Sequence, residues 1–130
     1  MVRSHNYGGI MQGHRDLIVW QKSMQFVTHV HQVTKRYPKD ETFALSIQTR
    51  RAAVSIPSNL AEGHGRSSTP EFHHFVSIAR GSLLEAETQI EIARNLGYID
   101  EKTFRALLKE SNEIGRMLTG LRSWAAGANS

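Results

Sequence analysis

Apolar residues recur at intervals of three and four along most of the chain, and this spacing predicts amphipathic α-helices. The first such stretch runs from Asp16 to Tyr37. Asp16 is the expected N-cap, and Pro38 should end the helix because the residue before a proline avoids helical backbone angles. The apolar face of this predicted helix comprises Leu17, Val19, Trp20, Met24, Phe26, Val27, Val30, Val33 and Tyr37.

A second helix is predicted from Asp40 and Glu41 to Gly63 and Gly65, which we expect to stop it. Pro57 lies inside this pattern, where it removes one backbone donor and crowds the preceding turn. We expect a kink at Pro57, with a full break as the alternative. The apolar positions of this helix are Leu45, Ile47, Ala52, Val54, Ile56 and Leu60.

The third helix has the most regular pattern. Ser68 or Thr69 is the expected N-cap, and Pro70 suits the first turn. Alternating steps of four and three residues then place one apolar row on the helix. Alanines repeat at one heptad position of that row, which predicts that a neighbouring helix approaches closely there. The row comprises Phe72, Val76, Ala79, Leu83, Ala86, Ile90, Ala93 and Gly97.

The fourth helix should begin after Gly97, a C-terminal cap, and Asp100, an N-cap. Its core positions are Phe104, Leu107, Ser111, Ile114, Leu118 and Leu121, and it should end at residues 124–126. Four helices with short links predict an all-α, up-down-up-down antiparallel four-helix bundle over residues 16–125. Residues 1–15 are predicted to be a disordered segment, and residues 126–130 a flexible tail.

Composition restricts the class of protein further. A chain of 130 residues with 39% hydrophobic and 22% charged residues suits one domain. The absence of cysteine excludes disulfides and thiolate chemistry, and the net charge of +4 permits a polyanionic partner. The chain has no apolar run of about 18 residues and no signal-peptide core, so we expect a cytoplasmic protein without membrane association.

No motif for catalysis stands out. A di-metal site in a helical bundle needs a Glu-x-x-His pair on each of two helices, and this chain has only Glu71 with His74. There is also no nucleophile elbow and no glycine-rich phosphate loop. We therefore expect neither a metal nor another cofactor, and a protein that is not an enzyme. If it were one, Glu62 and Glu85 would be the catalytic candidates.

Polar residues share one face of the second helix, and a similar polar row lies on the third. These residues predict either a hydrogen-bond network within the subunit or a subunit interface. If Arg51 is buried, it needs an acid such as Glu62 or Glu85. The polar candidates are Gln48, Arg51, Ser55, Asn59 and Glu62 on the second helix, and Ser82, Glu85 and Gln89 on the third.

Basic residues form rows on the outer faces of the first and fourth helices. Such rows suit a phosphate backbone, since Lys and Arg displace condensed counterions whatever the base sequence. The alternative is two ordinary solvated faces, because Glu101 with Arg105 and Lys109 with Glu113 are i,i+4 pairs, and Glu110 and Glu113 dilute the fourth-helix row. The candidate nucleic-acid contacts are Lys22, Arg36, Lys102, Arg105, Lys109 and Arg116.

Four segments resemble a known family: residues 17–22 (LIVWQK), 48–63 (QTRRAAVSIPSNLAEG), 78–89 (IARGSLLEAETQ) and 96–99 (LGYI). The chain is similar over residues 16–121 to the bacterial four-helix bundle proteins first noticed as reading frames in intervening sequences of 23S rRNA genes and often labelled ribosomal proteins. The resemblance implies a homopentameric ring. It also implies a likeness in fold to the accessory variability protein of diversity-generating retroelements, which works with a reverse transcriptase and nucleic acid.

Our leading hypothesis is therefore a non-enzymatic oligomeric bundle that binds RNA or DNA electrostatically, or that scaffolds a nucleic-acid-processing partner such as a reverse transcriptase. The alternative is a protein-interaction adaptor with no nucleic-acid role. An enzyme that uses Glu62 and Glu85 is the third hypothesis.

Overall fold

Four long helices make up the fold. The computed structural model describes the backbone of residues 13–128 and the side chains of residues 13–123, and this part of the chain contains no strand. The helices are α1 (Ile18–Thr34), α2 (Ile47–His64), α3 (Thr69–Asn95) and α4 (Glu101–Ala128). Each packs against the next in chain order, and α4 returns to contact α1. The predicted all-α four-helix bundle is confirmed, and none of its described helices is long and apolar enough to cross a membrane.

The core lies along the axis between the four helices. The alanine positions of α3 are fully buried, as the heptad pattern predicts, and Leu121 is only half-buried. Fully buried alanines allow neighbouring helices to approach closely, so they set the thickness of the bundle. The largest fully buried apolar side chains are Phe26, Val30 and Val33 of α1, Ile56 and Leu60 of α2, Val76 and Leu83 of α3, and Leu107, Ile114 and Leu118 of α4.

The first helix is shorter than its apolar pattern predicts. A 3-10 helix at Gly13–Asp16 precedes it, and Leu17, not Asp16, occupies the N-cap position, with no side-chain cap. At the other end the backbone N–H of Tyr37 donates to the carbonyl of Thr34 at 3.1 Å, a tighter turn than an α-helix has. This turn places the Tyr37 ring in the core, which is why Tyr37 fits the apolar pattern although it lies outside the helix.

The second helix begins later than predicted and ends differently. A 3-10 helix (Lys39–Glu41) and a wider π-helical turn (Thr42–Ser46) come first. The helix then continues through Pro57, so the alternative of a full break is wrong. Gly63 does not stop α2 but lies buried within it, because α3 passes so close that a side chain has no room there. Gly65 is the C-cap.

Caps at the last two links agree with the sequence. Ser68 is the N-cap of α3, and its Oγ accepts a hydrogen bond from the backbone N–H of Glu71 at 3.3 Å. Gly97, at a φ of 80°, follows the C-cap of α3. The N–H of Gly97 donates to Arg94 and that of Tyr98 to Ala93, which together form a Schellman motif. The Asp100 carboxylate then caps α4 through the N–H of Thr103 at 2.7 Å.

The predicted terminal segments fall partly inside the described region. Residues 1–12 and 129–130 lie outside the described residues. Residues 13–15 belong to the first 3-10 helix, and residues 126–128 continue α4 beyond its predicted end.

Candidate interaction surfaces

The basic row of α1 faces the acids of α4. Lys22 Nζ lies 3.4 Å from the Glu113 carboxylate, and the His29 ring contacts the carboxylate of Glu110. Glu113 therefore pairs with α1, and the predicted pair with Lys109 in its own helix does not form. We call this contact region the α1–α4 seam, and it ties two helices together instead of offering a free basic surface.

The α1–α4 seam ends at Asp100. The positive charges of Lys102 and Arg36 act on its carboxylate, so Arg36, the last basic residue of the predicted row on α1, faces an acid as well. The pKa of Asp100 is lowered, first by the backbone hydrogen bond from Thr103 and then by these cations. Lys22 is therefore a weaker nucleic-acid candidate than the sequence indicates, whereas Arg36 and Lys102 form no ion pair with a described carboxylate and act on Asp100 only at longer range.

Most of the basic row of α4 is free. Arg105 forms its predicted pair with Glu101 at 3.3 Å. Lys102, Lys109 and Arg116 are exposed, and no carboxylate of the described side chains lies within 4.0 Å of their charged nitrogens. We refer to Lys102, Lys109 and Arg116 as the α4 cations.

Three members of the polar rows form a network between α2 and α3. The hydroxyls of Ser55 and Ser82 lie 2.7 Å apart, which joins the two helices. The Asn59 amide donates to the Ser55 hydroxyl at 2.9 Å and to the Ser55 carbonyl at 2.8 Å. The network is partly buried, as predicted for an intrasubunit contact.

The other polar candidates do not join this network. Arg51 and Glu85 are exposed and have no ion-pair partner among residues 13–123, so Arg51 does not need the buried acid that we expected. Gln48 is also exposed. Gln89 is different, since its side chain is only 9% exposed and its Oε1 is buried without a hydrogen-bond partner in the described structure. A buried amide oxygen in that state costs about 1–3 kcal/mol.

Exposed apolar residues continue the polar row of α3 in both directions. Ile78 is 37% exposed, Ile92 42% and Leu96 55%. With Ser82, Glu85 and Gln89 they follow the steps of four and three that define one helical face. We call Ile78, Ile92 and Leu96 the α3 apolar row. The same spacing is present in the sequence, but these three residues were not among the predicted candidates.

A second apolar surface lies between α1 and α2. Trp20, Met24, Val27 and Val54 line a groove of about 360 Å³. Met24 is 43% and Val54 47% exposed. The groove is therefore an open surface of the subunit.

The acids considered for catalysis are not brought together. Glu62 pairs with Arg66 at 2.6 Å at the end of α2, and Glu85 is exposed on α3. Glu71, the possible metal ligand, faces Ser68 and Arg66. Among the described residues, no three His, Asp or Glu side chains are close enough to hold a metal ion.

Tyr37 and Tyr98 pack together at the end of the bundle where α3 is linked to α4. Their rings lie 5.4 Å apart, and the Tyr98 hydroxyl donates to the Glu41 carboxylate at 2.6 Å, which raises the pKa of Tyr98. Burial raises the pKa of Tyr37 to about 12. Its hydroxyl is buried without a hydrogen-bond partner in the described residues. These contacts fix the link between α3 and α4. Neither tyrosine lies on the free surfaces described above.

This bundle is similar to known proteins. A crystal structure of a protein of unknown function from the S23 ribosomal protein family of Bacteroides thetaiotaomicron has a TM-score of 0.75 and 24% sequence identity, and the match covers 81% of this chain and 98% of that one. This likeness shows the fold. A comparison with curated proteins gives no match. The family model described as 23S rRNA-intervening sequence protein matches residues 15–120, and the chain therefore belongs to that family.

Proposed function

We propose that this chain is a non-catalytic, self-assembling bundle that forms a ring and presents the α4 cations to RNA or DNA. The observation that carries the assembly step is the α3 face, where the α3 apolar row flanks the buried, unpartnered Oε1 of Gln89. A subunit that packs there covers the apolar side chains and can supply the missing donor. Both changes favour association.

A ring requires two different surfaces of each subunit to meet. The α3 apolar row is one, and the α1–α2 groove with Trp20, Met24 and Val54 is the complementary one. The row offers protruding side chains and the groove offers a recess of about 360 Å³. The resemblance to the family sets the expected number of copies at five.

The mass of the assembly tests this arrangement. We expect a particle near five times the subunit mass of 14.6 kDa in light scattering after size-exclusion chromatography. Ile92→Asp should shift the particle to the monomer mass, because it places a charge in the proposed interface. Leu84→Asp is the matched control, since Leu84 is 48% exposed on another face of α3. A wild-type monomer at tens of micromolar, or equal effects of the two variants, would contradict the proposal.

Nucleic-acid binding rests on the α4 cations. They are exposed and form no ion pair within the described structure, while Lys22 and Arg105 are paired with Glu113 and Glu101. A ring repeats the row in every subunit, and linked weak sites act at a high effective concentration. No feature here reads a base sequence, so we expect binding that depends on phosphate charge.

Titration of labelled RNA and DNA, single- and double-stranded, tests this part. We expect binding at about 50 mM salt that weakens steeply by about 200 mM. The double variant Lys102→Gln with Lys109→Gln should bind more weakly. Lys22→Gln removes the same kind of charge from a paired position and should have little effect on binding. If the wild-type particle binds neither RNA nor DNA at low salt, the nucleic-acid role is refuted and a protein partner becomes the better hypothesis.

A further inference from the structure

A groove of about 430 Å³ lies between α3 and α4. Two arginines line it, and only one of them belongs to a predicted basic row. Arg80 comes from α3 and Arg116 from α4. The same groove is lined by Glu87, Ser111, Asn112 and Thr119. It is therefore a charged recess made by two helices.

Neither arginine in the groove has a carboxylate partner among the described side chains, and neither donates a hydrogen bond there. Other arginines of the bundle do have such partners: Arg66 lies 2.6 Å from Glu62, and Arg94 lies 3.1 Å from Glu101. Arg80 is half-buried and has no charge partner within the described structure. A guanidinium in that position favours an anionic ligand.

Glu87, the acid that lines the groove, lies at the end away from Arg80. Glu87 accepts a hydrogen bond from the Ser111 hydroxyl, which fixes the carboxylate against α4. Arg80 lies seven residues before Glu87, about 10 Å along the helix axis. The groove therefore has an acidic end and a basic end.

Both arginines belong to the basic end because α3 and α4 are antiparallel. Ser111 is level with Glu87, and a Cβ on Gly115 would lie 3.4 Å from Leu83 Cδ2, so Gly115 is level with Leu83. Arg116 follows Gly115 directly and therefore lies towards Arg80. Gly115 also lines the groove and adds no side chain to it.

We infer that the Arg80–Arg116 end of this groove binds a phosphate group of an RNA or DNA strand. The inference rests on the proposed function and makes it specific, since it assigns a contact to Arg80 on α3, outside the two predicted rows. A guanidinium matches phosphate oxygens in a bidentate manner, and two of them meet the oxygens from two sides. Lys109 lies two turns before Arg116 on the same face of α4, so a strand that follows α4 meets Lys109 and then the groove.

The test compares single variants in the titration with labelled RNA and DNA strands. Arg80→Gln and Arg116→Gln should each weaken binding at about 50 mM salt. For every subunit in contact, the double variant Arg80→Gln with Arg116→Gln should also reduce the ratio of affinities between 50 and 200 mM salt by about threefold, which is the contribution of one phosphate contact, and each single variant should reduce it by less. Arg80→Lys should restore part of the affinity, because it keeps the charge and loses the bidentate geometry.

Lys39→Gln is the matched control, since it removes one exposed charge outside the groove and should leave the salt dependence unchanged. Circular dichroism and the assembly mass confirm that each variant is folded and assembled. Wild-type binding that is unaffected by both arginine variants overturns the inference, while the proposed function still stands if the double variant Lys102→Gln with Lys109→Gln binds more weakly. Failure of the wild type to bind any strand overturns both.

Discussion

Gly63 offers the sharpest test of how α2 and α3 are held together. A Cβ added at Gly63 would lie 2.7 Å from the Cβ of Phe75. Ordinary contacts begin at 3.4 Å, so the helices would have to separate by about 0.7 Å. Rotation of the Phe75 ring does not relieve this clash, because the Cβ position is fixed by the backbone of α3. Gly63→Ala must therefore move a helix.

Two opposing effects determine the stability of Gly63→Ala. Alanine in a helix interior is favoured over glycine by about 1 kcal/mol. Overpacking of a tight core contact costs about 1–3 kcal/mol. We expect a net loss of unfolding free energy of up to about 2 kcal/mol from these two estimates.

Gly81→Ala separates the two effects. Gly81 lies in the middle of α3, and a Cβ there meets no atom within 4 Å. This variant gains helix propensity without the clash, so it should be stabilised by about 1 kcal/mol. Gly63 lies in the last turn of α2, where the gain in propensity is no larger, so the difference between the two variants is at least the cost of the clash, about 1–3 kcal/mol.

Thermal unfolding followed by circular dichroism measures this difference. We expect the melting temperature of Gly63→Ala to lie at least 4 °C below that of Gly81→Ala, on the basis of about 4 °C per kcal/mol for a chain of this size. All variants are compared at one protein concentration, since assembly shifts the apparent stability. If Gly63→Ala melts at or above Gly81→Ala, the close approach of α2 to α3 at this position is refuted.

Three further perturbations test other parts of the bundle. Ala86→Leu should lower the unfolding free energy by about 1–3 kcal/mol, because Ala86 is fully buried, and an unchanged urea midpoint would contradict this. Tyr37→Phe should be at least as stable as wild type at pH 7, because the hydroxyl that it removes is buried without a described partner. Because the pKa of Tyr37 is about 12 in the fold, the wild type should lose stability as the pH rises from 10 to 12, and Tyr37→Phe should lose less, as measured by urea unfolding at each pH. Asp100→Ala should be less stable than wild type at pH 7, and the difference should vanish as the pH falls below the lowered pKa of Asp100, whereas Asp100→Asn should keep the cap at both pH values.

The fold could be predicted because the apolar spacing of each helix is a local property. The row from Val76 to Ala93 on α3 is buried at every predicted position. The errors occur where tertiary contacts override a local preference. Glycine is typical of helix ends, yet Gly63 lies within α2, where the close approach of α3 requires it. Tyr37 fits a helical spacing, yet a tighter turn brings it to the core.

The surfaces were harder to predict because they depend on the register between helices. Glu113 has two basic neighbours in reach, Lys109 in its own helix and Lys22 in α1, and sequence spacing favours the first. The structure selects Lys22, and thereby removes Lys22 from the basic surface. Arg80 illustrates the converse: it belongs to no row on its own helix, and it becomes a candidate only because it lines the same groove as Arg116 of α4.

The proposed assembly and the proposed binding site use different surfaces of the subunit, and this makes them compatible. The α3 apolar row and the α1–α2 groove would be covered in a ring, whereas the α4 cations belong to neither surface. A ring would also bring several chains of charge +4 together, and their mutual repulsion opposes assembly. A polyanion along α4 reduces that repulsion. Binding of nucleic acid and closure of the ring should therefore strengthen each other, since a ligand that binds only the assembled form stabilises it.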